Sequence, residues 1–331
     1  MRASIVVPVR NGAGIIADCL RALEAQDLPV ADYEVIVVDD GSTDDTAEVV
    51  HGFPGVRLIR QGPAGPAVAR NRGTAEARGE YILFTDADCA PHPTWAGALL
   101  RAVEEAGAAG GKGIYATRQR GLVARFVQVE YETRYRRMAR RASIDFVDTY
   151  AAIYRRSVLE EVGGFNELLP STSLEDQELS FRVSGRGHRL IFVPDAVVDH
   201  LHAATLRGYA RKKFSIGYWK VAVLASHPSK ALDDAHTPQS LKAQVALSGL
   251  LIVSLPLLLA RGALRWAPLG VAAAMAATWL PFLAYAWRRD RAVGLVAPAV
   301  LLVRSLALGC GLAWGLLRAR GLARLRPPAR E

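Results

Sequence analysis

Two carboxylates separated by one residue, Asp86 and Asp88, follow the short apolar run of residues 81–84. The length and composition of this run predict a buried strand, so both carboxylates are expected to leave the sheet at the same edge. Two hard oxygen ligands side by side suit Mg²⁺ or Mn²⁺, which the phosphates of a substrate would also hold. A solvated acidic turn would have the same sequence, so the interpretation depends on the groups that accompany it.

Further polar groups suited to a nucleotide lie earlier in the chain. Asp39 and Asp40 end the apolar run 34–38, where a carboxylate can accept hydrogen bonds from a base or a ribose. Arg70 and Arg72 supply cationic groups suited to phosphate or uridine. Ligands of open α/β sheets bind beyond the carboxyl ends of the strands, which is where the acidic groups cluster in this sequence.

Acidic and imidazole groups follow in the second part of the chain. Glu175 and Asp176 open an amphipathic stretch, where acidic residues are also simply favourable with a helix dipole. His200 and His202 follow an apolar run and lie on the same side of an extended chain. Histidine pairs more often serve packing, but beside an oxygen-ligand metal site one imidazole is a reasonable further ligand.

The order of the apolar runs predicts an α/β fold for this part of the protein. The β-branched and apolar runs predicted as strands are residues 4–9, 34–38, 56–59, 81–84 and 191–194. Strands that alternate with helices at this spacing indicate a mostly parallel sheet flanked by helices. Ser42 and Asp45 also predict a capping box at the start of the second helix.

The charge of the chain is divided unevenly. The 331 residues are 51% hydrophobic, which excludes a disordered chain, and their net charge is +9. Residues 1–205 contain 23 Lys/Arg and 28 Asp/Glu, whereas residues 206–331 contain 18 and 4. The basic half is also the apolar half, which favours a membrane surface as the partner and no nucleic acid.

Neither the cysteines nor the first residues indicate secretion. The cysteines are far apart, which excludes a disulfide framework and a CxxC-type zinc or redox site; they are Cys19, Cys89 and Cys310. A reduced compartment is consistent with this spacing. The sequence passes from its first three residues straight into a strand-like run, so no signal peptide is expected.

Three long apolar runs in the basic half predict an α-helical membrane domain. They occupy residues 243–260, 266–287 and 292–317, and the third contains one charge, Arg304. About 20 apolar residues span a bilayer, so the third run qualifies if Arg304 is sheltered.

The sequence leaves two alternatives for the topology of these spans. Arginine clusters follow both the second and the third run, and the positive-inside rule places both clusters in the cytoplasm, which a single span cannot satisfy. Either the third run breaks, at Pro298, Gly309 or Gly311, or the tail departs from the rule. Three spans are favoured.

Seven segments, in order and at familiar spacing over roughly residues 1–205, resemble a known family. They are PVRNG at 8–12, VVDDGSTD at 37–44, ARNRG at 69–73, FTDADC at 84–89, GGFNE at 163–167, LEDQELSFR at 174–182 and PDAVVDHLH at 194–202. The chain resembles the family-2 inverting glycosyltransferases with a GT-A catalytic domain and C-terminal transmembrane helices, as in bacterial exopolysaccharide and cell-surface glycan synthesis.

The resemblance implies roles for individual residues. It implies nucleotide-sugar contacts by Pro8, Asp39, Arg70, Asp86, Ala87, Asp88 and Glu175. It implies a divalent metal, Mg²⁺ or Mn²⁺, held by Asp86, Asp88 and His200. The metal would neutralise the nucleoside diphosphate as it leaves. Asp176 would be the general base that takes the proton of an acceptor hydroxyl, in one displacement that inverts the anomeric carbon.

The expected reaction is transfer of one sugar, from a UDP-sugar on family grounds, to a hydroxyl of a lipid-linked or cell-surface glycan. Residues 214–220 lack the QXXRW-like element of processive synthases. A polyprenyl phosphate acceptor is the alternative, and its ionised nucleophile would need no base. A pyrophosphorylase-type transferase would need no membrane spans. An inactive scaffold would show a broken DXD motif, which is Asp86-Ala87-Asp88 here, or a broken ED motif, which is Glu175-Asp176, and both are intact.

The predicted organisation is a catalytic domain over 1–205, an interfacial segment over 206–240, membrane helices over 241–318 and a basic tail over 319–331. Aromatic and basic residues alternate over 206–224, as in helices that lie on anionic bilayers. A similar stretch over 122–141 could equally pack on the catalytic core. Because nucleotide sugars are cytoplasmic, the sequence predicts a multi-pass protein of the cell membrane with a cytoplasmic catalytic domain.

Overall fold

The computed structural model describes residues 1–169, 174–231, 234 and 237–318. The chain divides into two compact units. The sheet unit comprises residues 1–118 and 135–201, and the helical unit comprises residues 119–134 and those from 202 onward. The domain boundaries given by the sequence stay predictions, and in this division residues 119–134 group with the C-terminal helices. The predicted basic tail lies outside the described residues.

An eight-stranded sheet forms the sheet unit, in the order β3-β2-β1-β4-β7-β6-β8-β5. Its strands are β1 (Ala3–Val9), β2 (Tyr33–Asp40), β3 (Val56–Gln61), β4 (Tyr81–Phe84), β5 (Cys89–Pro91), β6 (Gly110–Ala116), β7 (Ala152–Arg155) and β8 (Leu190–His200). β1 to β4 pair in parallel, β7 is antiparallel to both neighbours, and β5 is antiparallel to β8. The predicted α/β class is confirmed, with parallel pairing in the first half and mixed pairing beyond.

Both faces of this sheet are covered by helices. Consecutive residues of β1 point to opposite faces, and those such as Ile5 and Val6 are fully buried. The helices up to the end of the sheet are α1 (Ile16–Glu24), α2 (Thr46–His51), α3 (Pro66–Glu76), α4 (Trp95–Ala106), α5 (Leu122–Met138), α6 (Arg156–Val162) and α7 (Glu175–Gly185). The predicted capping box is wrong. Asp45 precedes α2 without a side-chain cap, and Ser42 Oγ instead accepts from the Asn11 amide at 2.9 Å.

The helical unit contains the predicted spans. Its further helices are α8 (Leu206–Ser226), α9 (Gln239–Ser254), α10 (Ala267–Ala277), α11 (Leu280–Arg289) and α12 (Arg291–Leu317). Two helical stretches, Gln239–Leu259 and Arg291–Leu317, are long and apolar enough to cross a membrane. The stretches 262–277 and 280–289 meet at a 46° bend and make a third candidate if they act as one span.

The break in this unit lies in the second apolar run and not in the third. α12 is one continuous helix that contains Pro298, Gly309 and Gly311. The sequence-based alternative in which the third run breaks at one of these residues is therefore wrong. The second run bends between α10 and α11, where Pro281 lies in the first turn of the new helix and has no amide to continue the old one.

Segments predicted to lie on a membrane surface pack on these helices. α8 runs close along α12, because a Cβ at Gly217 would collide with the Leu308 carbonyl and one at Gly311 with the Phe214 carbonyl. Phe126 of α5 is fully buried in an apolar cluster that α5 forms with residues of α8, α11 and α12. Contact of α8 with lipid headgroups stays a prediction.

Arg304, the charge within the third apolar run, is sheltered as that span requires. Its side chain is 7% exposed, and Nη2 donates to Gln244 Oε1 at 2.5 Å. Nη1 lies 3.4 Å from Oε1 of Glu130, a buried carboxylate that Lys213 Nζ contacts at 2.9 Å and Arg134 Nη2 at 2.7 Å. We call Glu130, Arg134, Lys213 and Arg304 the Glu130 cluster. It pairs the charges that the apolar helices bury.

Candidate active site

Asp39 presents a buried oxygen at the carboxyl end of β2. Its side chain is fully buried, and Oδ1 accepts from the Ser42 amide at 2.8 Å. Oδ2 lies 3.4 Å from Arg60 Nε and, among the residues that the structure describes, receives no hydrogen bond. Pro8 is adjacent, since the next residue of β1, Val9, pairs with Asp39. A buried acceptor of this kind would be satisfied by a donor group of a base or a ribose.

Asp40 has a different task, although the sequence suggested the same one for both carboxylates. Its Oδ1 accepts from Gln61 Nε2 and from the Ala64 amide, each at 2.8 Å. Its Oδ2 accepts from the Gly65 amide at 2.8 Å. Asp40 therefore shapes the Gly/Pro loop that leads into α3, because three of its acceptor sites are filled by that loop and by the end of β3.

Arg70 links two of the predicted motifs. It lies on α3 and is 4% exposed. Nη2 donates to Asp86 Oδ1 and Nη1 donates to Glu175 Oε1, each at 2.9 Å. Burial acts to lower the pKa of Arg70, but the charges of Asp86 and Glu175 outweigh it and raise the pKa. The guanidinium therefore stays charged between the two carboxylates, with Phe165 against it at 5.6 Å.

The two aspartates of the DXD turn face different partners. The Cys89 amide donates to the Asp86 carbonyl at 3.0 Å, which closes the turn and buries Ala87. Asp86 is half-buried against Arg70, whereas Asp88 is exposed and lies 3.6 Å from Nδ1 of His200. The turn therefore directs Asp86 towards Arg70 and Asp88 towards His200.

Asp88, Cys89 and His200 form a group that fits a divalent metal. One ligand atom from each lies within 4.8 Å of the other two. The group exists because Cys89 and His200 are register partners in the β5–β8 pair. The ring of Tyr115, on β6, stacks on the His200 ring at 4.4 Å between centroids and holds it in place. Carboxylate, imidazole and sulfur are ligands of divalent transition metals.

The other predicted histidine has a packing role. His202 belongs to the helical unit, where its amide donates to Gln119 Oε1 at 2.6 Å. Its Nε2 is hydrogen-bonded to Gln128 Oε1 at 2.9 Å, and its ring stacks on that of Tyr131. The two histidines that an extended chain places on the same side thus belong to different units.

Asp176 lies in the first turn of α7, which Leu174 precedes in the left-handed conformation. It is half-buried, and Oδ1 accepts from the Gln177 amide at 2.7 Å. Burial, followed by the negative charge of Glu175, raises the pKa of Asp176 to about 7. The Gln177 amide and the charge of Arg70 act in the opposite direction but are outweighed. A carboxyl with such a pKa is suited to act as a general base near neutral pH.

Neighbouring side chains fix the position of α7. Arg182 binds both oxygens of Glu178 at 2.7 Å and also donates to the carbonyls of Val162 and Gly164. Asn71 of α3 reaches the same loop, because its side chain both donates to and accepts from the Phe165 backbone. Through Arg182, the segment LEDQELSFR therefore contacts the loop that contains GGFNE. The sequence suggested no partner for Asn71.

Three residues of the site gave no usable signal in the sequence. They are Cys89, Tyr115 and Lys112, the last of which is buried in an ion pair with Asp148. The ring of Tyr150 lies 5.4 Å from Lys112 Nζ. Strand β6 has the sequence GGKGIYA, whose three glycines hide the strand pattern, so neither Lys112 nor Tyr115 could be placed.

An α/β sheet with strand-end carboxylates, a DXD turn and a separate acidic helix start defines a nucleotide-dependent transferase of the GT-A type. The family model of glycosyl transferase family 2 matches residues 4–163. Glycosyltransferase AglE of Haloferax volcanii is 31% identical over 232 residues, which cover 66% of this chain and 73% of AglE. The chain belongs to glycosyltransferase family 2, and we conclude that it is a glycosyltransferase that uses a nucleotide-sugar donor.

Other similar proteins agree with this assignment. The pre-mycofactocin glycosyltransferase of Mycobacterium tuberculosis is 28% identical over 240 residues, which cover 69% of this chain but 48% of that protein. The mannosyltransferase PcManGT from Pyrobaculum calidifontis, solved with GDP-Man and Mn²⁺, superimposes with a TM-score of 0.60 at 23% identity, covering 96% of this chain and 87% of that one. At this identity the superposition supports the fold alone.

Proposed function

We propose that this protein moves one sugar from a nucleotide sugar to a hydroxyl group of a lipid-linked or cell-surface glycan, with inversion at the anomeric carbon. The observation that carries the proposal is the position of Asp176, a half-buried carboxyl whose pKa burial raises to about 7. Its neighbour Glu175 is joined through Arg70 to Asp86 of the DXD turn. The base is thereby held at a fixed place relative to the donor-binding motif.

The donor is bound by residues at the strand ends. The open oxygen of Asp39 accepts from the nucleotide, beside Pro8, while Arg70 supplies positive charge near the diphosphate. Asp88 and His200 would hold a divalent metal, and Asp86, which the resemblance also implies as a ligand, is paired with Arg70 at the donor site. When bound, the metal neutralises the nucleoside diphosphate that leaves.

Asp176 deprotonates the acceptor. In its ionised form, the carboxylate oxygen that does not accept from Gln177 takes the proton of the attacking hydroxyl as the glycosidic bond forms. One displacement inverts the anomeric carbon, so no second carboxylate is required as a nucleophile.

We further propose that the protein is a multi-pass protein of the cell membrane, with the sheet unit in the cytoplasm, where nucleotide sugars occur. Two apolar helices of sufficient length, a bent pair that could serve as a third span, and the buried partners of Arg304 support this. Resistance of the full chain to extraction from membranes by alkaline carbonate, with release by detergent, is the expected behaviour. Release by carbonate alone would contradict the anchoring.

Release of nucleoside diphosphate from a panel of nucleotide sugars, measured in membranes with and without chelator, tests the donor and the metal. We expect release of UDP from a UDP-sugar, and we expect the chelator to abolish this release. Asp88→Ala and His200→Ala should lose the metal-dependent activity, and His202→Ala should retain it if it folds. Full activity after chelation would contradict a role for the metal. Release from GDP-sugars alone would contradict the expected UDP-sugar donor.

A polyprenyl phosphate acceptor is the alternative that the experiment has to exclude. A phosphate is ionised before it attacks, so Asp176→Asn would leave transfer to it largely unchanged. Strong loss of transfer in that variant supports the hydroxyl acceptor.

A further inference from the structure

We propose that Sγ of Cys89 is a third protein ligand of the metal, and that this ligand makes the site prefer Zn²⁺ or Co²⁺ to Mg²⁺. The inference rests on the proposed function, since it concerns the same metal. It differs from the roles implied by the family resemblance, which give the metal only carboxylates and one imidazole.

The three ligand atoms form an almost equilateral triangle. His200 Nδ1 lies 3.6 Å from Asp88 Oδ1 and 3.6 Å from Cys89 Sγ, and Cys89 Sγ lies 3.7 Å from Asp88 Oδ1. With the usual bond lengths of zinc to sulfur, nitrogen and oxygen, a tetrahedral centre has ligand-to-ligand separations of about 3.4–3.6 Å. The side chains are therefore already spaced as three corners of a tetrahedral site.

The same triangle is too wide for magnesium. Mg²⁺ requires nearly octahedral geometry with bonds of about 2.0–2.1 Å, so neighbouring ligands lie about 3 Å apart. Magnesium also binds oxygen and avoids sulfur, whereas thiolate and imidazole are ligands of zinc and cobalt. Geometry and donor type therefore lead independently to the same preference. Three protein ligands with one open position are typical of catalytic metal sites rather than structural ones.

The position of Cys89 also separates it from the other cysteine nearby. Cys89 is 1% exposed and faces His200 across the β5–β8 pair, so its sulfur cannot turn to solvent. Cys19 is equally buried, but its thiol lies 3.6 Å from the Asp86 carbonyl oxygen and outside the metal group. Binding of a metal by this thiol would release its proton to solvent. Cys19 is therefore a matched control for a buried thiol close to the DXD turn.

The experiment is a Co²⁺ titration of the full chain in detergent after removal of metals, followed by absorption. We expect a near-ultraviolet charge-transfer band from thiolate to cobalt and intense visible bands of a tetrahedral ion. The double variant Cys19→Ser/Cys310→Ser, in which Cys89 is the remaining thiol of the sequence, should keep both features. Cys89→Ser should lose the charge-transfer band and bind Zn²⁺ and Co²⁺ at least about 10-fold more weakly, with Mg²⁺ affinity unchanged.

An oxygen-type cobalt spectrum in the double variant would overturn the inference, and so would an unchanged spectrum in Cys89→Ser. If Cys89→Ser does not fold, the double variant alone decides the matter. Release of nucleoside diphosphate is followed separately. Metal-dependent release without the thiolate band would overturn this inference and support the proposed function. The thiolate band without any release would support this inference and contradict the proposed function.

Discussion

The guanidinium of Arg70 donates to the carboxylate of Glu175 at 2.9 Å, although the two residues are 105 positions apart in the sequence. Both side chains are buried, and the other arm of the guanidinium binds Asp86. A planar fork with two donor nitrogens can hold two carboxylates at once, which an ammonium on a flexible stem does poorly. Arg70 therefore couples the turn that carries Asp86 and Asp88 to the first turn of α7, which carries Asp176.

Arg70→Lys should lower kcat/KM by about 10²-fold, since it removes one of two positioned charge-assisted hydrogen bonds at the site. Steady-state kinetics with the best donor measures this. Arg72→Lys is the matched control, because Arg72 is exposed on the same helix and pairs with Glu76 one turn away. Equal activity of the two variants would contradict the coupling role.

Asp176→Asn should reduce kcat by about 10²–10⁴-fold while nucleotide affinity stays nearly unchanged, which is the usual contribution of a general base. Single-turnover rates and nucleotide titrations separate the two effects. Asp195→Asn, at an exposed aspartate of β8, serves as the control. A variant that loses nucleotide affinity but keeps turnover would assign Asp176 to the donor site instead.

The same carboxyl should make activity and stability respond oppositely to pH. Activity requires the ionised form, so kcat/KM should rise with pH through an apparent pKa of about 7. The folded-state pKa exceeds the ordinary 3.8, so ionisation lowers stability progressively as pH rises from about 3.8 to about 7. Asp176→Asn should therefore melt at a higher temperature than the parent protein above pH 7, as thermal scans at several pH values would show.

Removal of the negative charge beside Asp176 gives a second check on this pH dependence. Glu175→Gln should lower the pKa of Asp176 and move the rise in activity to lower pH, because the charge of Glu175 affects this pKa more than that of Arg70 or of Lys112. A pH profile that is displaced upward, or not at all, would mean that the rise reports another group.

The Glu130 cluster should be essential for the stability of the helical unit. Burial alone would raise the pKa of Glu130, but the charges of Lys213, Arg134 and Arg304 outweigh it and hold the pKa well below its usual range. The stability contributed by Glu130 is therefore present above its ordinary pKa of 4.5 and lost as pH falls. Glu130→Gln should cost about 3–5 kcal/mol, because buried cations lose their counterion.

Glu132→Gln is the control for Glu130→Gln. Glu132 lies on the same helix, its ion-pair partner Arg289 is 58% exposed, and Gln can still accept from the Tyr285 hydroxyl, so the loss should be below about 1 kcal/mol. Thermal unfolding in detergent, with the two variants measured side by side, provides the comparison. Similar melting temperatures would show that the buried cluster contributes no more than a surface pair.

Close packing of α8 on α12 gives a prediction that involves no charge. Gly311→Val should destabilise the helical unit by at least about 1–3 kcal/mol, since the added side chain would overlap the Phe214 carbonyl. Gly249→Val, in another candidate span, is the matched control because a Cβ there meets nothing within 4 Å. Equal melting temperatures would contradict the close approach of the two helices.

Local patterns in the sequence were enough to predict the strand ends and the apolar runs. Asp39, Asp86 and Asp88 were placed correctly because a short β-branched strand fixes where its last residues leave the sheet. The membrane-length helices were predicted for a similar reason, since hydropathy over about 20 residues is a property of the segment itself. Strand β7 was missed, because its antiparallel insertion between β4 and β6 depends on pairing partners distant in the chain.

Only the tertiary structure decided which groups act together. Asp39 and Asp40 look alike in sequence, but Asp39 keeps one buried oxygen without a hydrogen bond among the described residues, whereas Asp40 accepts hydrogen bonds from loop amides. Cys89 was set aside as an isolated cysteine, yet it is the register partner of His200, 111 residues away. Side-chain type and strand ends are encoded locally, whereas the distance between two ligand atoms is set by long-range strand pairing, which no local pattern contains.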